Sequence, residues 1–460
     1  MRLGMLRATG TDSPNRKIFR AVLIVGALTL LAKLGSTAKE LLVANSFGRS
    51  DALDAFLIAF VLPAFAVNLL IGSFASAVVP AFVEMKCSQG PAAAQKLFSN
   101  VMFACVLGLL ALTVGLGSLA PWYLPYLASS FSPAKLQLTR EILYMLLPFV
   151  LFNGVALCAS AVLNAGEKFA LPALTPVVTP LVTMAFIVLG PRSWSTFSLA
   201  AGIVLGSFLE AALVLQALKA QGIRLTMKWY GFDPSVRSIL RQYRPLVAGS
   251  FVMGAASVVD QSMAAMLPQG SVSALSYASR TISVVLWISA ASLSTAVLPY
   301  FSQMVAQNDW AGCRNTLRRY TTLVAAIAVP CTLCLMAFSR PLVRLLFQRG
   351  AFTAADTALV SRVQICYAIQ IPFYIGTILF VRFLSSAMRN HGLLWTSGIC
   401  LVLDILLNLA LMRVWGVAGI ALSTSLVFVV AFVLVSAYSG RLLGRKCAPC
   451  LAAPAQGVAG

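Results

Sequence analysis

The chain has 460 residues, of which 60% are hydrophobic and 10% charged; an ordinary soluble domain carries roughly a quarter charged residues, so composition excludes a water-soluble globule. Its 34 Lys and Arg against 13 Asp and Glu give a formal net charge of +21, which suits basic loops beside an anionic leaflet better than a nucleic-acid-binding face. A single histidine, His391, excludes His-based metal sites and Ser-His-Asp triads.

A helix that crosses a bilayer needs about 20 mostly apolar residues. Twelve such runs follow one another, near 20–46, 52–83, 98–122, 140–164, 169–190, 196–218, 243–266, 273–302, 318–338, 357–387, 392–412 and 416–439. The predicted fold class is therefore an all-α integral membrane protein with about twelve transmembrane helices. The first run resembles a signal peptide, with Ser36 and Ala38 at a cleavage position, but its pattern continues through Lys33 and Lys39 and eleven more spans follow. Gly35, Pro63 and Gly72 interrupt the first two runs, as in bent helices that line a cavity.

With a cytoplasmic N-terminus, 21 Lys and Arg fall in cytoplasmic segments and nine outside, the nine being Arg49, Lys135, Arg140, Arg192, Arg340, Arg344, Arg349, Arg362 and Arg413. That bias predicts both termini in the cytoplasm. The largest basic cluster, Lys219 to Arg244, also interrupts the apolar pattern for longest. The predicted organisation is a cytoplasmic tail 1–18, a first six-helix bundle 19–218, a basic cytoplasmic linker 219–242, a second bundle 243–440 and a cytoplasmic tail 441–460. The segment at 73–85, Ser-Phe-Ala-Ser-Ala-Val-Val-Pro-Ala-Phe-Val-Glu-Met, returns at 292–304 as Ser-Leu-Ser-Thr-Ala-Val-Leu-Pro-Tyr-Phe-Ser-Gln-Met, and Leu147-Pro148-Phe149 returns as Ile371-Pro372-Phe373. Two parallel six-helix repeats around a central cavity are the expected build, that of an alternating-access transporter.

An ionisable group in mid-span costs roughly 2.5–3.5 kcal/mol on insertion scales and so asks for a partner or a cavity. The groups concerned are Lys33, Lys39, Glu40, Asp54, Glu210, Asp260, Arg280, Arg382 and Asp404. Salt bridges between helices are the plain reading, held most strongly for Glu40, Asp54 and Glu210. Lys33, Lys39 and Arg280 together would make a cationic patch suited to phosphate or pyrophosphate. No phosphate-binding loop and no H-E-x-x-H motif is present. Cys331/Cys334 and Cys447/Cys450 have the CxxC spacing without further ligands nearby, so neither reads as a zinc or redox centre. The protein is expected to be a transporter and not an enzyme.

The stretch Ala32-Lys33-Leu34, Ala38-Lys39-Glu40, Phe47-Gly48, Asp54-Ala55-Phe56, Ala59-Phe60, Leu62-Pro63 resembles the opening of the MurJ/MviN lipid II flippases of the MOP exporter superfamily. So do Leu163-Asn164 through Pro176, Gly270-Ser271-Val272-Ser273 through Arg280, and Leu346-Phe347-Gln348-Arg349-Gly350-Ala351-Phe352-Thr353. The resemblance runs in order from about residue 16 to 440. It implies substrate binding by Lys33, Lys39, Arg280 and Arg382, which match basic positions of the family. It also shows two departures: the family's arginine pair in helix 2 falls at Val67 and Asn68, and the family's fourteen helices compare with twelve here, as expected of a short member.

The resemblance further implies a flippase that moves a polyprenyl-diphosphate-linked saccharide, lipid II or a related polysaccharide precursor, across the bacterial cytoplasmic membrane. Its partners would be that lipid, the membrane lipids and cell-envelope synthesis enzymes, with no nucleic acid. The rivals are a MATE-like cation-coupled multidrug exporter, whose cavity would carry acidic and aromatic groups, and a non-transporting scaffold, which has no use for buried charge. Asp404 and Asn408 are four apart on one helix face, and Asp260 and Thr424 are polar groups with little reason to sit in lipid. Some relatives bind sodium among helices 7, 11 and 12, and the matching positions are Asp260, Asp404, Asn408, Thr424 and the carbonyl of Ile420. A proton relay and purely structural hydrogen bonding are the alternatives at these residues. No other cofactor is expected.

Overall fold

The computed structural model describes residues 14–166, 168–191, 194–223, 227–231, 234–389 and 391–451. Residues 1–13 and 452–460 of the expected tails, and Arg192 and Arg224 of the charge count, lie outside the described residues. The elements in chain order are α1 (Pro14–Phe47), α2 (Asp51–Gln89), α3 (Pro91–Leu127), α4 (Pro133–Ala165), α5 (Ala170–Leu174), a 3₁₀ turn (Thr175–Val177), α6 (Val178–Leu189), α7 (Thr196–Ala220) and α8 (Pro234–Ala265). There follow α9 (Ser271–Ala306), α10 (Trp310–Ala337), α11 (Ser339–Phe347), α12 (Ala354–Ala368), α13 (Gln370–Ser386), α14 (His391–Trp415) and α15 (Val417–Leu451). No strand occurs among the described residues.

The all-α membrane class follows from the same residues that predicted it. Eleven helical stretches among the described residues are long and apolar enough to cross a membrane, and the remaining predicted run, 20–46, lies in α1. The run at 169–190 is one broken span, α5 and α6, because Pro172, Pro176 and Pro180 each remove a backbone donor, and the chain tightens into the 3₁₀ turn. Large apolar side chains such as Val114, Leu119, Val188 and Leu189 stay exposed, as a lipid-facing surface requires. Hydroxyls within spans return to their own helix: Thr113 donates to the Leu109 carbonyl at 2.7 Å and Thr377 to that of Phe373 at 2.8 Å.

The helices gather into two compact units that interleave along the chain. The first takes the described part of Met1–Leu42 with Ala66–Gly117 and Met145–Arg244. In it Gly202 and Gly206 bring α7 so close to α6 that a Cβ at either would lie 2.6 Å from the Cα of Thr183 or Thr179. Beside that seam Thr179 donates to the buried Glu210 carboxylate at 3.0 Å. Val78, Leu97, Val101 and Ile239 form a second core patch. The basic linker is docked on α3, where the Ser99 hydroxyl accepts from the Lys228 N–H and donates to the Lys228 carbonyl, both at 2.9 Å.

The second unit comprises Val43–Phe65, Ser118–Tyr144 and Pro245–Gly460 as far as it is described. Its core includes Phe301, Leu379, Phe383 and Val435. At one end Asp54, 1% exposed, caps α9: its carboxylate accepts from the N–H groups of Gly270 and Ser273, each at 2.8 Å. Lys135 pairs with Asp51 and, at 3.4 Å, with Asp54, and lies 3.9 Å from the Phe131 ring centre. Gly270 adopts a φ of 79°, and a Cβ there would meet Arg49 Nε at 2.6 Å, so this turn needs glycine. The plain reading of Asp54 is thus what the structure shows.

Asp54→Ala is expected to lower stability by about 2 kcal/mol, the upper end for a lost helix cap, because Gly270 and Ser273 lose their acceptor inside the protein. Thermal unfolding in detergent should show a lower midpoint that Asp54→Asn recovers in part. An unchanged midpoint for Asp54→Ala would mean that the cap carries no stability.

Candidate cation site and basic residues

Three helices of the second unit bring five oxygen-bearing groups together: α8 supplies Asp260, α14 supplies Asp404 and Asn408, and α15 supplies Thr424 and the Ile420 carbonyl. The i, i+4 spacing of Asp404 and Asn408 puts both on one face of α14, and Ile420 and Thr424 share a face of α15 for the same reason. Asn408 Nδ2 donates to Asp260 Oδ1 at 2.7 Å. Thr424 Oγ1 lies 3.2 Å from Asp260 Oδ2 and 3.1 Å from the Ile420 carbonyl. The cluster is closed to solvent, with Asp260 8%, Asp404 2% and Asn408 0% exposed.

Two acceptors in this cluster, Asp404 Oδ2 and Asn408 Oδ1, are buried without a hydrogen-bond donor. Turning the Asn408 amide over gives no relief, since it would set its oxygen against the Asp260 carboxylate. Buried polar atoms are ordinarily satisfied, so the cluster asks for positive charge. A hard cation held by oxygen ligands would supply it, and a proton between the two carboxyl groups would supply part of it. The residues present therefore fit the sodium expected at them. Among the described residues no group of three or more His, Cys, Asp or Glu is placed to hold a metal.

Sequence reasoning missed two members of the surroundings. Ser423 approaches both the Asp404 carbonyl, at 3.3 Å, and its carboxylate, at 3.4 Å; it sits three residues from Ile420, on the same helical face, and that spacing was a usable signal. Tyr367, buried in α12, interacts with Thr424 and with the charge of Asp260. Nothing in its local sequence points there, because α12 reaches the cluster only through tertiary packing.

The basic residues fall in both units. In the first, Lys33 lines a cavity of about 230 Å³ with Thr29, Ser36, Pro172 and Pro176 at the break between α5 and α6. Lys39 is ion-paired at 3.0 Å to Glu40, its neighbour on α1 and not a residue of another helix. In the second unit Arg280 is exposed on α9, and Arg382 Nε donates to Ser294 Oγ at 3.0 Å. Val67 is buried at 1% exposure, so that position adds no charge to the basic set.

Comparison with known proteins places this arrangement. The family model described as "Lipid II flippase MurJ" matches residues 43–449. A lipid II flippase MurJ of Burkholderia cenocepacia is 30% identical over 76% of this chain and 70% of its own length. A probable lipid II flippase MurJ of Vibrio cholerae is 26% identical over 90% of this chain and 81% of its own. Among solved structures, a lipid II flippase MurJ in an inward closed conformation superposes with a TM-score of 0.79 at 23% identity, covering 93% of this chain and 91% of that one. An inward-facing MATE family transporter of the MOP superfamily superposes at 0.72 with 13% identity, covering 94% and 99%. The two superpositions establish a shared fold, and the family match, which takes in the capped α9, the cation cluster and both arginines of the second unit, decides between them: the chain belongs to the lipid II flippase MurJ family.

Proposed function

We propose that the protein is an alternating-access flippase that carries lipid II, a polyprenyl-diphosphate-linked saccharide, from the cytoplasmic to the outer leaflet of the bacterial inner membrane. The observation that carries this reading is the family match over 43–449. The protein is a multi-pass membrane transporter and not a catalytic enzyme. A multidrug exporter of the MATE branch shares the fold, but its cationic substrates would be repelled by the lysines and arginines that mark this chain's spans.

Lys33, Lys39, Arg280 and Arg382 are assigned to the diphosphate and sugar. Arginine offers a planar fork that grips phosphate oxygens in pairs, whereas lysine acts as a point charge, so Arg280 carries the largest share. Asp260, Asp404, Asn408, Thr424 and the Ile420 carbonyl are assigned to a sodium ion. When bound, the ion neutralises the two carboxylates and ties α8, α14 and α15 together. Asp404 and Asn408 each contribute to it an oxygen that otherwise has no partner. Both termini are assigned to the cytoplasm, where cell-envelope synthesis enzymes that make the substrate would meet the protein. The basic linker 219–242 joins the two six-helix halves on that side.

Reconstitution tests the function: vesicles containing the protein should move labelled lipid II between leaflets, and protein-free vesicles should not. Single-cysteine labelling in a cysteine-free background tests the orientation. Positions near Lys228 and Arg445 should react only from the cytoplasm and positions near Arg349 only from outside. Reaction of Arg349 and Arg445 positions from the same side would overturn the assigned topology.

A further inference from the structure

At one end of the second unit the start of α10 lies beside the end of α15, and both helices pack on α13. Lys446 of α15 stands 5.5 Å from the Trp310 ring centre of α10, which sets the two helix ends at the same face of the membrane, cytoplasmic in the topology assigned above. Arg314 and Arg318 follow Trp310 at four-residue steps and so share its face of α10. They border a cavity of about 280 Å³ whose opposite wall is Ser436 and Gly440 of α15. A Cβ at Gly440 would meet nothing within 4 Å, so the glycine leaves that wall open. The floor is apolar, made by the buried Leu317 and Leu443 with Phe380 of α13.

The charge around this cavity has one sign. α10, α13 and α15 contain no Asp or Glu, whereas Arg314, Arg318, Arg319, Arg441, Arg445 and Lys446 are all exposed at this end. Among the described residues neither Arg314 nor Arg318 has a carboxylate partner. Asp309, the nearest acid in sequence, is committed to the cap of α10, where it accepts from the Gly312 N–H at 2.7 Å. The hydroxyls of the walls divide in two. Thr322 donates to the Arg318 carbonyl and Ser436 to the Val433 carbonyl, each at 3.0 Å, but Thr321 Oγ1 is buried without a hydrogen-bond partner. Buried polar atoms are ordinarily satisfied, so two guanidinium groups and one hydroxyl are left for an acceptor-rich anion.

We propose that this cavity binds the headgroup of an anionic phospholipid of the phosphatidylglycerol type, an inference independent of the lipid II reading. Its phosphate lies between Arg314, Arg318 and Thr321, since guanidinium groups pair with phosphate oxygens. At roughly 30 Å³ per non-hydrogen group, the cavity takes about nine such groups, enough for a phosphate with a small polar head. The acyl chains stay in the bilayer, where the same face of α15 continues to the exposed Val433. Charge selects among lipids: a zwitterionic phosphatidylethanolamine would bring its ammonium group against six cations with no acid among them. The apolar floor, in turn, favours a phosphate carried on a lipid over a free one.

The test uses the full chain in mixed micelles with two photoreactive probes, a phosphatidylglycerol and a phosphatidylethanolamine, each carrying a diazirine close to its headgroup. The phosphatidylglycerol probe should cross-link to residues within 314–322 and 436–443, and neither excess phosphatidylethanolamine nor excess inorganic phosphate should displace it. Arg318→Ala should cut that labelling about tenfold, the usual effect of losing a hydrogen bond to a charged group. Arg319→Ala removes the same charge from the next position, which does not border the cavity, and should leave the labelling within about twofold of wild type. Gly440→Leu fills the cavity without touching its charge and should also abolish most labelling, with the unfolding midpoint retained. Equal losses from Arg318→Ala and Arg319→Ala would mean diffuse attraction to an anionic surface and overturn the proposal. Equal labelling by the phosphatidylethanolamine probe would overturn it too, as would a polyprenyl diphosphate that displaces the probe better than phosphatidylglycerol does, because the cavity would then belong to the substrate.

Discussion

Arg280→Ala is expected to lower lipid II flipping about tenfold or more while the protein still reaches the membrane. A hydrogen bond to a charged group contributes about 1.5–3 kcal/mol, and 1.4 kcal/mol is a factor of ten in affinity. Arg280→Lys should recover part of the loss, since it keeps the charge and gives up the paired geometry. Lys33→Ala and Lys39→Ala should act in the same direction by smaller factors, and Lys33→Arg and Lys39→Arg should be tolerated. Lys39 needs one further control because it is ion-paired to Glu40 at 3.0 Å: Glu40→Gln should leave flipping largely intact. Wild-type rates in all three alanine variants would reduce these residues to structural charges.

Sodium is expected to raise the thermal midpoint of the wild-type protein when choline at the same ionic strength does not. Ligand at 100 times its dissociation constant stabilises the folded form by about 2.7 kcal/mol, a shift of several degrees in a protein with one cooperative transition. Asp404→Asn removes one of two carboxylates and should abolish most of the response. Thr424→Val should weaken it less, because the Thr424 hydroxyl is already shared between Asp260 and the Ile420 carbonyl. A wild-type midpoint indifferent to sodium, or an Asp404→Asn midpoint that still responds, would remove the ion from the cluster and leave proton sharing or plain hydrogen bonding in its place.

The fold was open to sequence reading because the bilayer imposes length and apolarity on each span. The predicted runs at 196–218 and 392–412 fall inside α7 and α14, with boundaries close to the helix ends. What the runs did not reveal was the interior of the spans. The run at 169–190 was read as one unbroken span although Pro172, Pro176 and Pro180 lie in it, and the structure breaks it at the 3₁₀ turn Thr175–Val177. The short α11 was likewise absent from the reading, since nine residues between two spans fall below any membrane signal.

The candidate site was legible in proportion to how much of it is local. Asp404 and Asn408 declared themselves by spacing on one helix, whereas Asp260 reached them only through the resemblance to a family, being 148 residues away from Asn408. Asp54 shows the opposite case. An acidic residue in an apolar run looked like a structural charge, and its role as the cap of α9 joins positions 216 and 219 residues apart, which no local pattern encodes.

Transbilayer movement of lipid II tests the central claim most directly. Purified protein in vesicles carrying fluorescent lipid II in the inner leaflet should bring that label within reach of an impermeant quencher, faster than in protein-free vesicles and about tenfold slower with Arg280→Ala. A rate equal to that of protein-free vesicles, with the protein folded and oriented, would contradict the account.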